Sequence, residues 1–449
     1  MAKNYEMDMT TGPILNKLLR FSLPLIASSV LQLLFNAADV IVVGRFVGPS
    51  AMAAVGSTSS LINLIIQLFV GLSVGVNVCA ARYYAANREE DLRETIATAV
   101  TTALLTGTAL VFIGIGLAKP MLLLMGTPDD VIQGSVLYMR IYFLGMPAVM
   151  LYNFISAILR AVGDTRRPLY YQMIAGIINV ILNLVFVIGF HAGVAGVAIA
   201  TSISQTFSAA ALLLVLIREK GRMHIDIRAL HINMKKLLSI FEVGMPAGLQ
   251  GMVFSLSNVV IQSSINSFGS VAMAGSTASQ NIEGFVYVSM NAIYQSNLSF
   301  TSQNVGAGKM SRVNRIMFEC LGTVTVIGLV LGFLVNVFSG VLLSFYTTSP
   351  EVIRYGQERL LIVAGPYFLC GIMDSMVGSL RGMGYSFIPM VVSLLGACGL
   401  RILYIATLFQ LPALHSLRYL YMSYPGSWLI TFTIHFITYW LIRKKKRIL

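Results

Sequence analysis

The sequence predicts an all-α integral membrane protein of twelve transmembrane helices, arranged as two six-helix bundles of the same orientation. Three observations lead to this fold class: an apolar composition, twelve long apolar segments, and a repeat that relates the two halves of the chain. Of the 449 residues, 56% are hydrophobic and only 11% are charged, whereas soluble domains carry about 25% charged residues. A soluble protein could not bury so much apolar surface, so the expected solvent is a lipid bilayer.

The twelve apolar segments are each near or above the roughly 20 residues that a helix needs to cross the hydrocarbon core. Helices are expected rather than strands, because an open sheet edge would leave backbone groups unpaired in lipid. Glycines four positions apart, which allow helices to approach closely, recur at Gly71/Gly75, Gly244/Gly248, Gly328/Gly332 and Gly378/Gly382. The segments are 14–44, 54–79, 95–117, 132–158, 169–190, 194–217, 236–266, 276–301, 316–345, 352–378, 386–409 and 424–442.

The basic residues indicate how the helices are oriented. The formal net charge is +13, which alone would suggest a nucleic-acid ligand. However, all but seven of the 31 Lys and Arg residues fall on one side when the termini and every second loop are assigned to it. The positive-inside rule then places both termini in the cytoplasm. We therefore expect a multi-pass protein of a bacterial plasma membrane, in contact with lipids and without a nucleic-acid partner.

The two halves of the chain repeat each other at a shift of 221 positions. The stretch LRAVGDTRRP (159–168) returns as LRGMGYSFIP (380–389), and VGPSAMAAVG (47–56) resembles FGSVAMAG (268–275). The shared pattern LRxxGxxxxP predicts a turn with a positive-φ glycine, then a helix that begins near its proline. Its arginines are expected near carbonyls or headgroups. We predict an N-terminal bundle over 1–220, a cytoplasmic linker over 221–235 and a C-terminal bundle over 236–449.

Two copies of an even number of helices insert with the same orientation, which relates them by an axis along the membrane normal and leaves a cleft between them. This arrangement suits a transporter that opens alternately to either side. A channel is disfavoured because the segments carry few of the charges that line a pore. An enzyme is not expected, because HExxH and GxSxG motifs are absent and the five histidines are scattered. The four cysteines form no CxxC pair, so disulfides and structural zinc are not expected either.

These features together resemble the multidrug and toxic compound extrusion (MATE) family. The resemblance rests on the duplicated halves, on FSLP near the start, on NAADVIVVGRFVGPSAMAAVG, and on LRxxGxxxxP in both copies. It implies a secondary active exporter of amphipathic, often cationic compounds, driven by antiport with H⁺ or Na⁺ and without a cofactor. We expect a monomer. The alternative within the same superfamily is a flippase for a lipid-linked precursor, which favours a basic cleft; only Arg401 lies well inside a late segment.

One polar group in the N-terminal half is the leading candidate for ion coupling. Asp39 lies in the first segment, and a carboxyl group inside a span is costly, about 2.5–3.5 kcal/mol at a helix centre. Asn179 and Asn183 of the fifth segment share a helix face by their i, i+4 spacing, and Thr201 lies in the sixth. Their oxygens suit a proton relay or a weak Na⁺ site. The alternative is a structural acid paired with Arg45.

The resemblance supports this set, because family members use an Asp of helix 1 with polar residues of helices 5 and 6. Some members have a second Asp in helix 5, where this chain has Asn183, which does not titrate. Pro24 is a candidate helix kink, because proline removes a backbone hydrogen bond. The kink is either fixed or straightens when Asp39 changes charge.

Two further acids are secondary candidates, Glu283 and Asp374. Glu283 in the eighth segment is either an attractor for a cationic substrate or a satisfied acid. Asp374 in the tenth segment corresponds to Asn153 of the first copy. Sodium-coupled relatives combine an Asp of helix 10 with a Glu of helix 7. The seventh segment here has no such Glu, so the resemblance gives only weak support to a sodium site in the C-terminal half.

Overall fold

A computed structural model describes residues 5–448, except for the side chains of Pro49, Ser57, Ser60 and 445–448. All regular structure within these residues is helical, as the apolar segments predict. Residues 1–4 and Leu449, the outer ends of the two predicted bundles, lie outside the described residues. Each of the twelve predicted segments falls on one helix or on consecutive helices.

The described residues of the first half of the chain form seven α-helices. Val185–Gly189 continues α6 as a π-helical turn, and residues 219–233 connect α7 to the second half with a 3₁₀ turn at Ile227–Ala229. The helices are α1 (Ile14–Phe46), α2 (Pro49–Ala85), α3 (Glu89–Leu124), α4 (Asp129–Leu144), α5 (Met146–Ala161), α6 (Arg166–Leu184) and α7 (Gly193–Arg218).

The described residues of the second half form nine α-helices. Three of them are extended by short turns of other helical types, at Leu360–Ala364, Leu394–Gly399 and Leu408–Gln410. The helices are α8 (Met234–Asn266), α9 (Ser270–Gly306), α10 (Met310–Val337), α11 (Ser339–Ser344), α12 (Pro350–Arg359), α13 (Phe368–Gly382), α14 (Phe387–Ser393), α15 (Leu400–Ala406) and α16 (Leu417–Ile448).

Eight helical spans in the described chain are long and apolar enough to cross a membrane, and ten if two bent pairs each count as one span. The bends, 49° between α4 and α5 and 41° between α12 and α13, lie at Gly145–Pro147 and Gly365–Pro366, where proline interrupts the helical hydrogen bonds. The helices α9 and α16 complete the twelve predicted segments. They have 37 and 32 residues but are more polar.

By its internal contacts the chain divides into two compact units. The first comprises residues up to Asp8 together with Ala27–Gly248, and the second comprises Met9–Ile26 together with the chain from Leu249 onward. Both α1 and α8 therefore change unit within the helix, two residues after Pro24 and Pro246. The sequence prediction instead divides the chain at the connection between α7 and α8. It gives the bundles 1–220 and 236–449, joined by the linker 221–235.

Close packing of α2 on the first part of α8 explains why this part belongs to the first unit. A Cβ atom added at Gly71 would lie 2.2 Å from the Cα of Gly248, and one added at Gly244 would lie 2.6 Å from the Cα of Leu72. Two of the glycine pairs singled out in the sequence therefore face each other. The absence of side chains lets the two backbones come into direct contact.

The repeated motif forms the same turn in both halves. Gly163 and Gly384 have φ angles of +94° and +91°, which confirms the predicted positive-φ turn. In each turn the glycine N–H donates to the carbonyl of the motif arginine, at 3.0 and 2.8 Å. The expectation for Arg381 was wrong: its side chain is buried and donates to Gln250 Oε1 at 2.7 Å and to the Tyr294 hydroxyl at 2.8 Å.

Candidate functional site

Three helices of the first unit, α1, α6 and α7, bring the predicted coupling residues together. Asp39 lies in the last quarter of α1, Asn179 and Asn183 lie one turn apart on α6, and Thr201 lies in the first half of α7. The i, i+4 spacing directs both asparagines to the same neighbours, as predicted. The four residues form one hydrogen-bonded cluster, which we call the Asp39 cluster.

Both oxygens of the Asp39 carboxyl group have a polar neighbour. Asn183 Nδ2 donates to Oδ1. Thr201 Oγ1 lies 3.5 Å from Oδ2 and 3.0 Å from the Val197 carbonyl, so its one proton serves either of these two acceptors. Asn179 connects the two donors, because its Oδ1 accepts from Asn183 at 3.3 Å and its Nδ2 donates to Thr201 Oγ1 at 3.2 Å. The cluster is therefore a closed ring that contains one ionisable group and three neutral ones.

Burial makes this carboxylate costly to ionise, because it has been moved away from water. Asp39 is 8% exposed and Asn183 is 0% exposed. Within the described residues no cation is paired with Asp39; Arg45, the predicted alternative partner, is exposed and makes no ion pair with it. Tyr138 and Tyr142 of α4 lie within electrostatic range of the carboxyl group. A proton or a bound cation is thus what could neutralise the charge.

The Asp39 cluster lines a narrow cleft within the first unit. Gln172 Nε2 donates to Gln32 Oε1 at 2.5 Å, and Gln32 Nε2 lies 3.4 Å from Asn36 Oδ1, so amides continue from the cluster along the cleft. This polar wall can hold water or a polar part of a ligand. The lining residues are Gln32, Phe35, Asn36, Asp39, Gln172, Ala175, Gly176, Asn179, Thr201, Ser204 and Gln205.

The sequence contains a signal for these extra residues that the prediction did not use. Gln32 and Asn36 lie seven and three positions before Asp39, which places them on its helix face. Gln172 lies seven positions before Asn179, and Ser204 lies three positions after Thr201. Extending the same helical periodicity from the three candidate positions would have found them.

Glu283 has a partner that the sequence did not suggest. Its two carboxylate oxygens accept from Arg359 Nε and Nη2, each at 2.9 Å, and Arg359 Nη1 donates to Ser276 Oγ at 3.2 Å. Arg359 is 2% exposed and Glu283 6%. The charge of Glu283 is already compensated, so the idea that it attracts a cationic substrate has no support in this geometry.

Asp374 and Pro24 belong to the second unit, whereas the Asp39 cluster belongs to the first. Asp374 is half-buried on α13, and within the described chain its carboxylate makes no ion pair. Its secondary role stays a prediction. Pro24 lies inside α1, which continues through it as one helix, and its role as a kink also stays a prediction.

Comparison with known families gives the same duplication as the sequence repeat. The family model MatE matches the chain twice, at residues 24–185 and 246–407. Together the two matches cover more than two thirds of the chain, and they begin at Pro24 and Pro246. The second match includes Arg359 and Asp374, and the first includes the whole Asp39 cluster except Thr201.

Relatives and solved structures cover nearly the whole chain. The sequence is 29% identical over 435 residues to the probable multidrug resistance protein YoeA of Bacillus subtilis, covering 95% of this chain and 94% of that protein. It is 25% identical over 393 residues to a FAD transporter of Shewanella oneidensis, covering 86% of each. The Vibrio cholerae MATE transporter VcmN in the bent form superposes with a TM-score of 0.87 at 20% identity, over 97% of this chain and 98% of that one.

Proposed function

This chain belongs to the MatE family of membrane transporters, and we propose that it exports amphipathic, often cationic compounds by antiport with H⁺ or Na⁺ at the Asp39 cluster. The observation that supports this role is the burial of a single carboxylate inside a ring of neutral hydrogen-bonding groups. Such a carboxylate changes its interactions when it gains or loses one positive charge. The multidrug resistance proteins among its relatives support the same class of substrate.

An ionised Asp39 accepts from Asn183 Nδ2, and it can accept from Thr201 Oγ1 when that hydroxyl turns away from the Val197 carbonyl. Hydrogen bonds to a charged group are stronger than those between neutral groups. They hold α1 against α6 and α7 for as long as the carboxylate is negative.

Protonation would reverse one of these hydrogen bonds, because a carboxyl O–H is a donor. The Oδ1 of Asn183 is buried and has no hydrogen-bond partner within the described residues. It becomes an acceptor for that proton if the side-chain amide turns over. The proton-loaded and proton-free forms would then differ in which group donates, and this difference would bias the packing of α1.

A sodium ion would use the same oxygens. The carboxylate oxygens of Asp39, Asn179 Oδ1, Asn183 Oδ1 and Thr201 Oγ1 are the hard ligands that such an ion prefers over nitrogen or sulfur. With one carboxylate the cluster would neutralise one charge per cycle. Exchange of one proton or sodium ion for one monovalent cation then moves no net charge, and only the ion gradients would drive export.

We further propose that the chain works as a monomer in a bacterial plasma membrane, with both termini in the cytoplasm. The excess of basic residues on one side supports this orientation. Membrane lipids would cover its many exposed apolar side chains, among them Phe112, Leu124 and Phe345 at 74%, 87% and 80% exposure.

Purified protein in liposomes tests the transport function. Ethidium movement is followed by fluorescence while the H⁺ gradient and the Na⁺ gradient are collapsed in turn with ionophores. Transport should stop when the coupling gradient is removed and continue when the other is removed. Movement of ethidium that survives the loss of both gradients would rule out antiport. Scrambling of a fluorescent lipid without ethidium movement would favour the flippase instead.

A further inference from the structure

Three arginines are buried among the described residues of the second unit, Arg359, Arg381 and Arg401, and the last two form no ion pair with a carboxylate. Arg401 of α15 is 7% exposed. Its guanidinium lies 4.3 Å from the ring centre of Tyr424 and 5.4 Å from that of Trp428, both on α16. Its Nε donates to Ser427 Oγ at 2.7 Å. The Nη2 group is buried and, among the described residues, has no acceptor.

Glu283, the acid of the neighbouring arginine pair, is already bound to another arginine. The ring of Tyr424 also faces Arg359, at 5.6 Å, so this ring lies against two arginines. Glu283 gives both of its oxygens to Arg359. Arg359 therefore takes up this carboxylate, and Arg401, like Arg381, has neutral hydrogen-bond partners only. In the described part of the chain Asp374 and Arg401 do not form an ion pair either.

An excess positive charge in this position is unfavourable without a negative partner. Contacts with aromatic faces contribute less than an unpaired buried charge costs. The missing acceptor of Nη2 is expected to be a carboxylate or a phosphate, because the donors of a guanidinium group match the oxygens of these two groups.

We propose that Arg401 binds an oxyanion, a carboxylate or a phosphate, through the buried Nη2 group of its guanidinium. The oxyanion comes either from a transported compound that carries an acidic group or from a lipid headgroup. The first source rests on the proposed transport function, whereas the binding site itself does not. The chain would then accept compounds with an acidic group in addition to simple cations.

Trp428 allows binding to be measured directly. The chain has two tryptophans, so a Trp440→Phe background leaves Trp428 as the only one. Protein purified in a phosphate-free sugar detergent is titrated with benzoate and with inorganic phosphate, while benzamide and benzylamine serve as neutral and cationic controls. The titration is repeated with two short-chain lipids. Dihexanoyl phosphatidylglycerol carries a phosphate, and dihexanoylglycerol, which lacks it, is the control. Equilibrium dialysis of radiolabelled benzoate measures binding without relying on Trp428.

Saturable binding of benzoate or phosphate, but not of the two controls, is the expected result. Arg401→Met should weaken it by at least about tenfold, and Arg401→Lys should bind with intermediate affinity because the charge remains but the fork is lost. Arg354→Met, which removes an exposed arginine of the same unit, should bind like the wild type. A response confined to the phosphate-bearing lipid assigns the oxyanion to a headgroup.

Thermal unfolding keeps the proposal testable if a variant is hard to purify. Benzoate should raise the melting temperature of the wild type and of Arg354→Met, and should leave that of Arg401→Met unchanged. Equal responses to benzoate and benzamide, or an anion response that persists in Arg401→Met, would overturn the proposal. Because neither readout involves transport, a failure here and a failure of ethidium export are distinguishable.

Discussion

Asn183 Nδ2 donates a hydrogen bond to Asp39 Oδ1 across 144 positions of the sequence. This bond joins α6 to α1 at the one carboxylate of the Asp39 cluster. It is the contact through which a change of charge on Asp39 would act on the packing of the first unit.

Replacement of Asn183 by alanine should weaken both stability and transport. It removes a buried donor to a charged group, a loss of about 1.5–3 kcal/mol, and leaves Asp39 Oδ1 without its partner. We expect ethidium transport per folded molecule to fall by at least about tenfold. Thermal unfolding in detergent and liposome transport measure the two effects. Asn266→Ala, at an exposed position at the end of α8, is the matched control; equal losses in both variants would contradict the prediction.

The pair Glu283–Arg359 should matter for stability and not for transport. Glu283→Gln leaves Arg359 buried without a carboxylate, which costs about 3–5 kcal/mol when one partner of a buried pair is removed. Denaturation in mixed detergent micelles measures this loss. The double variant Glu283→Leu/Arg359→Leu should recover much of it, because it buries no unpaired charge.

The control for this pair is the exposed one of Arg315 and Glu319, in which the Arg315 side chain is 71% exposed. Its removal should change stability by no more than about 1 kcal/mol. Transport per folded molecule should be retained in Glu283→Gln. A loss of transport without a loss of stability would instead support a role for Glu283 in attracting a cationic substrate.

Close packing of α2 against α8 predicts that a single methyl group disrupts the first unit. In Gly71→Ala the new Cβ would lie 2.2 Å from the Cα of Gly248, so the backbones must separate. Overpacking of this kind costs about 1–3 kcal/mol. Gly56→Ala in the same helix is the control, since nothing lies within 4 Å of its Cβ. Melting temperatures should fall for Gly71→Ala only.

Apolar length predicted the helices well, because lipid solvation imposes the same requirement on every span. All twelve segments agree with the helices of the described chain to within several residues. The two bends were not predicted. Proline and glycine occur in both, at Gly145–Pro147 and Gly365–Pro366, but Pro24 lies within one continuous helix. Composition alone therefore does not decide whether a proline ends a helix.

The i, i+4 spacing within a helix helped to predict the Asp39 cluster, whereas the sequence did not predict the pairing of Glu283 with Arg359. Asn179 and Asn183 are one turn apart, so their common direction follows from the helix itself. Arg359 and Glu283 lie 76 positions apart on different helices, and no local rule connects them. Their contact depends on how helices of the second unit pack, which hydrophobic periodicity does not specify.

The most direct test of the central claim is ion release on substrate binding. Purified protein in weakly buffered detergent is mixed with ethidium, and released protons are followed with a pH dye and displaced ²²Na⁺ by filtration. The account predicts release of one of these ions by the wild type and by Asp130→Asn, which changes an exposed acid, and none by a folded Asp39→Asn variant. Undiminished release from Asp39→Asn would contradict the account, because Asp39 would then not be the group that holds the ion.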